Sequence, residues 1–260
     1  MSRFVNLEFD GGLESEHRSG TGSVVKDEDY YLDRASDAFQ QGRFAQALRF
    51  FARVLEFNPA NVVAWSGQVR MLIELGEFPE ARLWADKALE RFPHDSDLLA
   101  AKAVALARLG DRQAALAFSD ASMQERGDTP YVWLARGDVL LACKEKRAEY
   151  CFARATGLAL NDWQVRWLAS RIFRFYQKLA TALKYAQEAL ALDGARAVVW
   201  LQLARCQWSL GLAAYATGSL ARVVELDSSL PELAEARAEM SRQGLWTTLR
   251  SSWKRMFYRP

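Results

Sequence analysis

The sequence predicts an all-α protein, a right-handed superhelical solenoid of about six stacked helical hairpins closed by a C-terminal capping helix. Three observations lead there. Tyr31, Trp65, Leu99, Trp133, Trp167 and Trp200 follow one another at intervals of 34, 34, 34, 34 and 33 residues. Ala47, Ala81, Ala115, Ala148, Ala182 and Ala216 form a second ladder at 34, 34, 33, 34 and 34. Gly42, Gly76 and Gly110 stand between the large and the small member of the first three periods. A large residue followed 15 or 16 later by a small one, repeated every 34 residues or so, is the pattern of stacked helical hairpins. The large side chain needs a pocket between two helices, and the alanine lets the second helix come close enough to make it.

Residues 1–26 contain Gly11-Gly12 and a polar run from Glu14 to Ser23 without helical periodicity, so they read as a disordered N-terminal tail. Six hairpins are expected over residues 27–230. In the first, Tyr31, Ala35, Ala38 and Phe39 give one helix an apolar stripe. Gly42 turns the chain, and Phe44, Ala47, Leu48, Phe51, Val54 and Leu55 build the second helix. Asn58-Pro59 ends it, because proline disfavours helix in the residue before it. The second hairpin repeats this with Trp65, Leu72, Gly76, Phe78, Ala81, Ala88, Leu89 and Pro93, and the third with Leu99, Ala103, Leu106, Gly110 and Ala115, closing at Gly127.

These positions resemble the tetratricopeptide repeat. That family's motif has a large aromatic early in the first helix, a small residue four further on, a turn glycine, alanines in the second helix and a closing proline. Trp65, Gly76, Ala81, Ala88 and Pro93 match it directly, and the resemblance covers about residues 28 to 230. It departs in hairpins four and five. Lys144 and Lys178 replace the turn glycine, Ala148 and Ala182 come one residue early, and the closing proline is missing. Turns one residue shorter than the family pattern are expected there.

Pro231 opens the expected capping helix, residues 231–243, which runs through Leu233, Ala234, Arg237, Ala238 and Met240 to Gly244. An open array needs such a cover on its last apolar face. Residues 244–260 read as a basic amphipathic helix. Leu245, Trp246, Leu249, Trp253, Met256 and Phe257 fall near one face, with Arg250, Lys254, Arg255 and Arg259 beside them. It either adds to the cap, the preferred reading, or rests on an anionic membrane surface as a peripheral tether.

Composition excludes several classes of function. The chain has 260 residues, is 50% hydrophobic and 25% charged, and carries a net charge of +2. That balance does not favour a nucleic-acid partner. Val104 and Leu141, where an RNA-reading repeat would place polar residues, weigh against one further. Cys143, Cys151 and Cys206 show no metal or redox spacing and read as small buried hydrophobes in a reducing compartment. No secretory signal or membrane span is visible, so a cytoplasmic location is expected. His17 and His94 have no nucleophile or metal partner at a recognisable spacing. No phosphate-binding loop, zinc-protease helix or serine elbow is present. Glu74-Glu77-Glu80 and Glu232-Glu235-Glu239 read as solvated helix faces. The chain is therefore expected to be a noncatalytic scaffold or adaptor without metal or cofactor.

The resemblance implies that residues one, five and eight after the large aromatic line a binding groove. Those are Leu32, Ser36 and Phe39, then Ser66, Arg70 and Ile73, and in the sixth hairpin Leu201, Arg205 and Trp208. The lysine and asparagine clamp with which some members hold a C-terminal carboxylate is not matched by Leu32, Ser36, Gly67 and Arg70. In the fifth hairpin Arg171 and Arg174 fall where the core should be, counting from Trp167. Either the stripe Val165, Leu168, Ile172 and Phe175 replaces that core, exposing Trp167 and both arginines to the groove, or Trp167 stays in the ladder and the arginines reach out from its edges. The groove residues expected to bind a partner are Arg70, Trp167, Arg171, Arg174, Arg205 and Trp208, the arginine and aromatic types common in binding hot spots. The partner expected is an acidic protein or peptide segment with apolar anchors. The chain's own Phe4–Asp10 is such a segment and could dock in the groove.

Overall fold

The computed structural model describes residues 26–125 and 127–241. Residues 1–25 of the N-terminal tail, with the Phe4–Asp10 segment, and the basic segment 244–260 lie outside the described residues. The chain divides between Leu160 and Asn161 into two units. The N-terminal unit holds four helical hairpins: α1 (Glu28–Gln40) with α2 (Phe44–Phe57), α3 (Val62–Glu74) with α4 (Phe78–Arg91), α5 (Ser96–Leu109) with α6 (Arg112–Gln124), and α7 (Pro130–Ala142) with α8 (Ala148–Leu158). The C-terminal unit holds α9 (Trp163–Phe175) with α10 (Leu179–Leu192), α11 (Ala197–Ser209) with α12 (Ala213–Leu226), and the described part of α13, residues 231–241. The described residues contain no strand.

The first helices of hairpins one to five start at side-chain-capped positions, whereas α11 starts after Arg196 without one. Asp27, Asn61, Asp95, Thr129 and Asp162 accept hydrogen bonds from backbone amides in the first turns of α1, α3, α5, α7 and α9. Such caps satisfy amides that have no partner within the helix. The ladder residue comes at the fourth helical position, and where it is tryptophan it ties down the loop before it. Trp65 donates its indole N–H to the Pro59 carbonyl at 3.0 Å, Trp200 donates to the Gly194 carbonyl at 2.9 Å, and Trp133 donates to Asp128 Oδ1 at 2.6 Å. All six ladder alanines are buried. Gly137 marks the tightest crossing of its hairpin, because a Cβ there would lie 2.6 Å from the Phe152 ring. Truncating Trp65, which is buried against Trp84, is expected to cost about 3–5 kcal/mol in denaturant unfolding. A loss under about 1 kcal/mol would remove the ladder from the core.

The fifth hairpin corrects the sequence reading. Four residues separate Lys144 from Ala148, whereas five separate the corresponding turn residue and alanine in every other hairpin. The missing residue is taken from helix α8, not from its turn. The α7–α8 connection spans residues 143–147, and α8 has only 11 residues. The α9–α10 connection, residues 176–178, is as long as those of hairpins one, two and six. The expected shorter turns are therefore not found. The left-handed turn residue of hairpin five is Gln177, with φ 57°, and not Lys178.

After this deletion the fourth position of α9 is Arg166, so Arg166 and not Trp167 continues the ladder. Its Nη1 donates to the Asp162 carbonyl at 3.2 Å, doing for its loop what the tryptophan indoles do for theirs. Four residues on comes Ser170, the buried counterpart of Ala35, Val69, Ala103, Gly137 and Ala204. The core side of α9 is built by Val165, Ala169, Ser170 and Phe173, with Phe173 stacked on Tyr185 at 5.5 Å. The stripe expected from spacing fails at its far end, where Phe175 is exposed. Counted from Arg166, the residues one, five and eight positions on are Trp167, Arg171 and Arg174.

Helix α13 begins 34 residues after α11, in phase with the array. Leu230, Leu233, Ala236 and Met240 are buried, giving it one packed apolar edge.

Candidate functional site

In the N-terminal unit the first helices bring Arg70 between two rings. Its guanidinium carbon lies 4.0 Å from the centre of Tyr131 and 5.6 Å from that of Phe39. Tyr131 and Ile73 pack on a cluster formed by Ala100, Val104, Val132 and Ala135. Burial pushes the Tyr131 phenol well above its ordinary range, against the pull of the Arg70 charge. Deeper in the same unit Arg108 grips Asp138 with two bonds, from Nε to Oδ1 at 3.0 Å and from Nη2 to Oδ2 at 2.6 Å. This pair joins α5 to α7.

In the C-terminal unit five of the residues expected in the groove lie on α9 and α11: Trp167, Arg171 and Arg174 on the first, Arg205 and Trp208 on the second. Trp167 is neither in the ladder nor exposed. It is 1% accessible, with the Arg171 guanidinium 5.2 Å from its ring centre. Trp208 is half-buried. The three arginines are met by α13. Glu232 accepts from Arg171 Nη1 and Nη2 at 3.2 Å and from Arg205 Nη1 at 2.6 Å. Arg174 lies 3.6 Å from Glu239, and Arg205 lies 3.8 Å from Glu235 and 3.9 Å from Glu239. The glutamates expected to form a solvated face are thus ion-pair partners, most fully at Glu232. Arg171 and Glu232 stand 61 residues apart, the same separation as Arg70 and Tyr131. In both units the fifth residue after the ladder position meets the start of the first helix two hairpins on.

The cluster holds its charges unevenly. Burial pushes the Glu232 carboxyl up, but the Arg171 and Arg205 charges and their hydrogen bonds outweigh this and hold it below the ordinary glutamate range. Burial, then the neighbouring Arg205 charge, pushes Arg174 below its ordinary value despite Glu239. Because the Glu232 pKa is depressed on folding, its contribution is complete above the ordinary value of 4.5 and is lost as pH falls through the lower folded value. Urea titrations of the native chain and of Glu232→Gln should therefore differ most near neutral pH and converge as pH drops well below 4.5. A difference independent of pH would contradict the pairing.

With this geometry in view, residues 38–104 match the family model of the tetratricopeptide repeat. Its fold is that of tetratricopeptide-repeat proteins. A thermophilic tetratricopeptide-repeat protein of Thermus thermophilus is similar at 21% identity and a TM-score of 0.53, over 69% of this chain and 98% of that one. A tetratricopeptide repeat protein of Parabacteroides merdae is similar at 14% identity and a TM-score of 0.50, over 84% and 87%. The APC/C hetero-tetramer Cut9–Hcn1 contains a chain similar at 15% identity and a TM-score of 0.50, over 82% of this chain and only 43% of that one. No curated protein sequence matches. Among the described residues no group of three or more His, Cys, Asp or Glu is placed to hold a metal ion. Burial pushes the thiols of Cys143, Cys151 and Cys206 upward, away from the reactive thiolate. No described helix is long and apolar enough to cross a membrane.

Sequence reasoning missed two features of the site. One is the true position of the ladder in α9, which the capping residues would have revealed, since Thr129 and Asp162 are 33 apart where the earlier caps are 34 apart. The other is α13 as the partner of the arginines. Its Glu232, Glu235 and Glu239 were visible as a charge pattern, but nothing local in the sequence says what they face.

Proposed function

We propose that this chain is a noncatalytic scaffold that binds segments of other proteins on the faces formed by the first helices of its hairpins. The observation that carries this is the arginine cluster of α9 and α11, which holds an acidic helix with apolar anchors, Glu232 and Glu239 among Leu233, Ala236 and Met240. This intramolecular pairing supports an acidic segment with apolar anchors as the partner chemistry. Arg70, framed by Phe39 and Tyr131, offers a second cationic and aromatic surface in the N-terminal unit. Arginine beside aromatic rings is the composition of binding hot spots. In Cut9–Hcn1 a chain of similar fold stands in a hetero-tetramer, an instance of the fold in protein assembly.

Affinity capture from a native extract should compare the intact chain with Arg70→Glu and Arg174→Glu forms whose helix content is unchanged by circular dichroism. Proteins retained by the intact chain and lost from either charge-reversed form are the expected result. Identical retention by all three would contradict binding through these faces.

A further inference from the structure

We propose that the Arg171, Arg174 and Arg205 cluster is a docking site for an acidic amphipathic helix of another protein, and that α13 occupies it in cis as a replaceable stand-in. This rests on the scaffold reading and names the chemistry of the partner.

The first argument is the pattern that the cluster already holds. Helix α13 presents carboxylates at 232, 235 and 239 and apolar anchors at 233, 236 and 240. Residues three and four apart share a helix face, so the two sets run as adjacent stripes. A helix with this double stripe can set its apolar edge where Leu233, Ala236 and Met240 sit while its acids reach the arginines.

The second argument is that α13 fits the cluster incompletely. Its short hydrogen bonds to the cluster run through Glu232. Glu235 keeps 78% of its side chain exposed at 3.8 Å from Arg205, and Glu239 stands at 3.6 and 3.9 Å from Arg174 and Arg205. Ion pairs at that range and exposure contribute little. Meanwhile Nε of Arg174 and Nε of Arg205 are buried donors without a hydrogen-bond acceptor among the described residues. Buried donors left unmatched are costly, so a helix whose second and third carboxylates reach these nitrogens outbinds α13 contact for contact.

The third argument is connectivity. Four residues, 227–230, join α12 to α13. A short tether gives α13 an effective concentration on the order of millimolar, so a weakly fitting helix holds the site until a better one competes.

The test uses the full chain and a fluorescent peptide of residues 228–241. It compares the native chain with Glu232→Gln/Glu239→Gln, which weakens the cis helix and leaves the arginines in place. The peptide should bind the variant at least tenfold more tightly than the native chain, and a peptide with glutamine at all three glutamate positions should bind neither. Excess acidic peptide added to the native chain should raise amide hydrogen exchange in residues 231–241. Should the variant lose its helix content, the exchange measurement on the native chain decides alone. Equal binding to both chains, or exchange in 231–241 unmoved by millimolar peptide, overturns the proposal. Concentration-dependent dimerisation of the native chain that the variant loses would assign the site to a second copy and overturn the partner named here. Loss of protein capture in Arg174→Glu with no peptide effect defeats this inference while leaving the scaffold reading intact. Peptide displacement with no captured protein does the reverse.

Discussion

Replacing Asp138 by alanine is expected to destabilise the N-terminal unit by about 3–5 kcal/mol, the usual cost of breaking a buried ion pair from one side. The carboxylate is 2% exposed and the Arg108 side chain 8%. Both oxygens of Asp138 are used, and the bidentate geometry fixes α5 against α7. Without the carboxylate, Arg108 must stay charged in a site that excludes water or pull its helix away from α7. The loss therefore measures the stranded charge more than the value of the pair. The double change Arg108→Met/Asp138→Leu should recover most of it, since apolar residues of similar volume often replace such pairs without penalty. Urea denaturation followed by circular dichroism reads both variants. A loss under about 1 kcal/mol for Asp138→Ala would mean that water reaches the pair.

Trp167→Ala should also cost about 3–5 kcal/mol, because the indole is among the largest fully buried side chains. Arg166→Ala should cost less, about 1 kcal/mol, for the hydrogen bond to the Asp162 carbonyl, the 3.9 Å ion pair with Glu188 and a partly buried stem. The contrast is informative because Arg166 holds the ladder position. At Trp65 that position carries a buried indole, whereas in hairpin five the buried bulk has moved one residue on. Cavity formation at Trp167 should also loosen Arg171, whose guanidinium lies over the ring. Equal losses at 166 and 167 would contradict the assigned register.

The hairpin fold was legible because it rests on local rules repeated in phase. Proline and glycine mark the ends of the second hairpin's helices, and alanine and tryptophan mark their contact. The two ladders disagreed about one residue, however. The alanines placed the short interval between Ala115 and Ala148, while the large residues placed it between Trp167 and Trp200. The structure sides with the alanines, because a close helix crossing demands a small residue, whereas the partly buried ladder slot of hairpin five accepts arginine, whose N–H group reaches the loop carbonyl. Trp167 looked like a ladder residue only because a tryptophan happens to follow Arg166. The sequence grouped Arg171, Arg174 and Arg205 by register, but it did not point to the carboxylates they face. Glu232 lies 61 residues from Arg171, and no periodicity within one helix reports on a contact two hairpins away.

A double-mutant cycle on Arg205 and Glu232 tests most directly whether the arginines of α9 and α11 hold the acidic helix α13. Stabilities of the native chain, Arg205→Gln, Glu232→Gln and the double variant give the coupling energy of the 2.6 Å bond between them. A coupling of about 1.5–3 kcal/mol at neutral pH is expected for a hydrogen bond between charged, largely buried groups. Additivity within about 0.3 kcal/mol would contradict the account, because sites that do not interact behave that way.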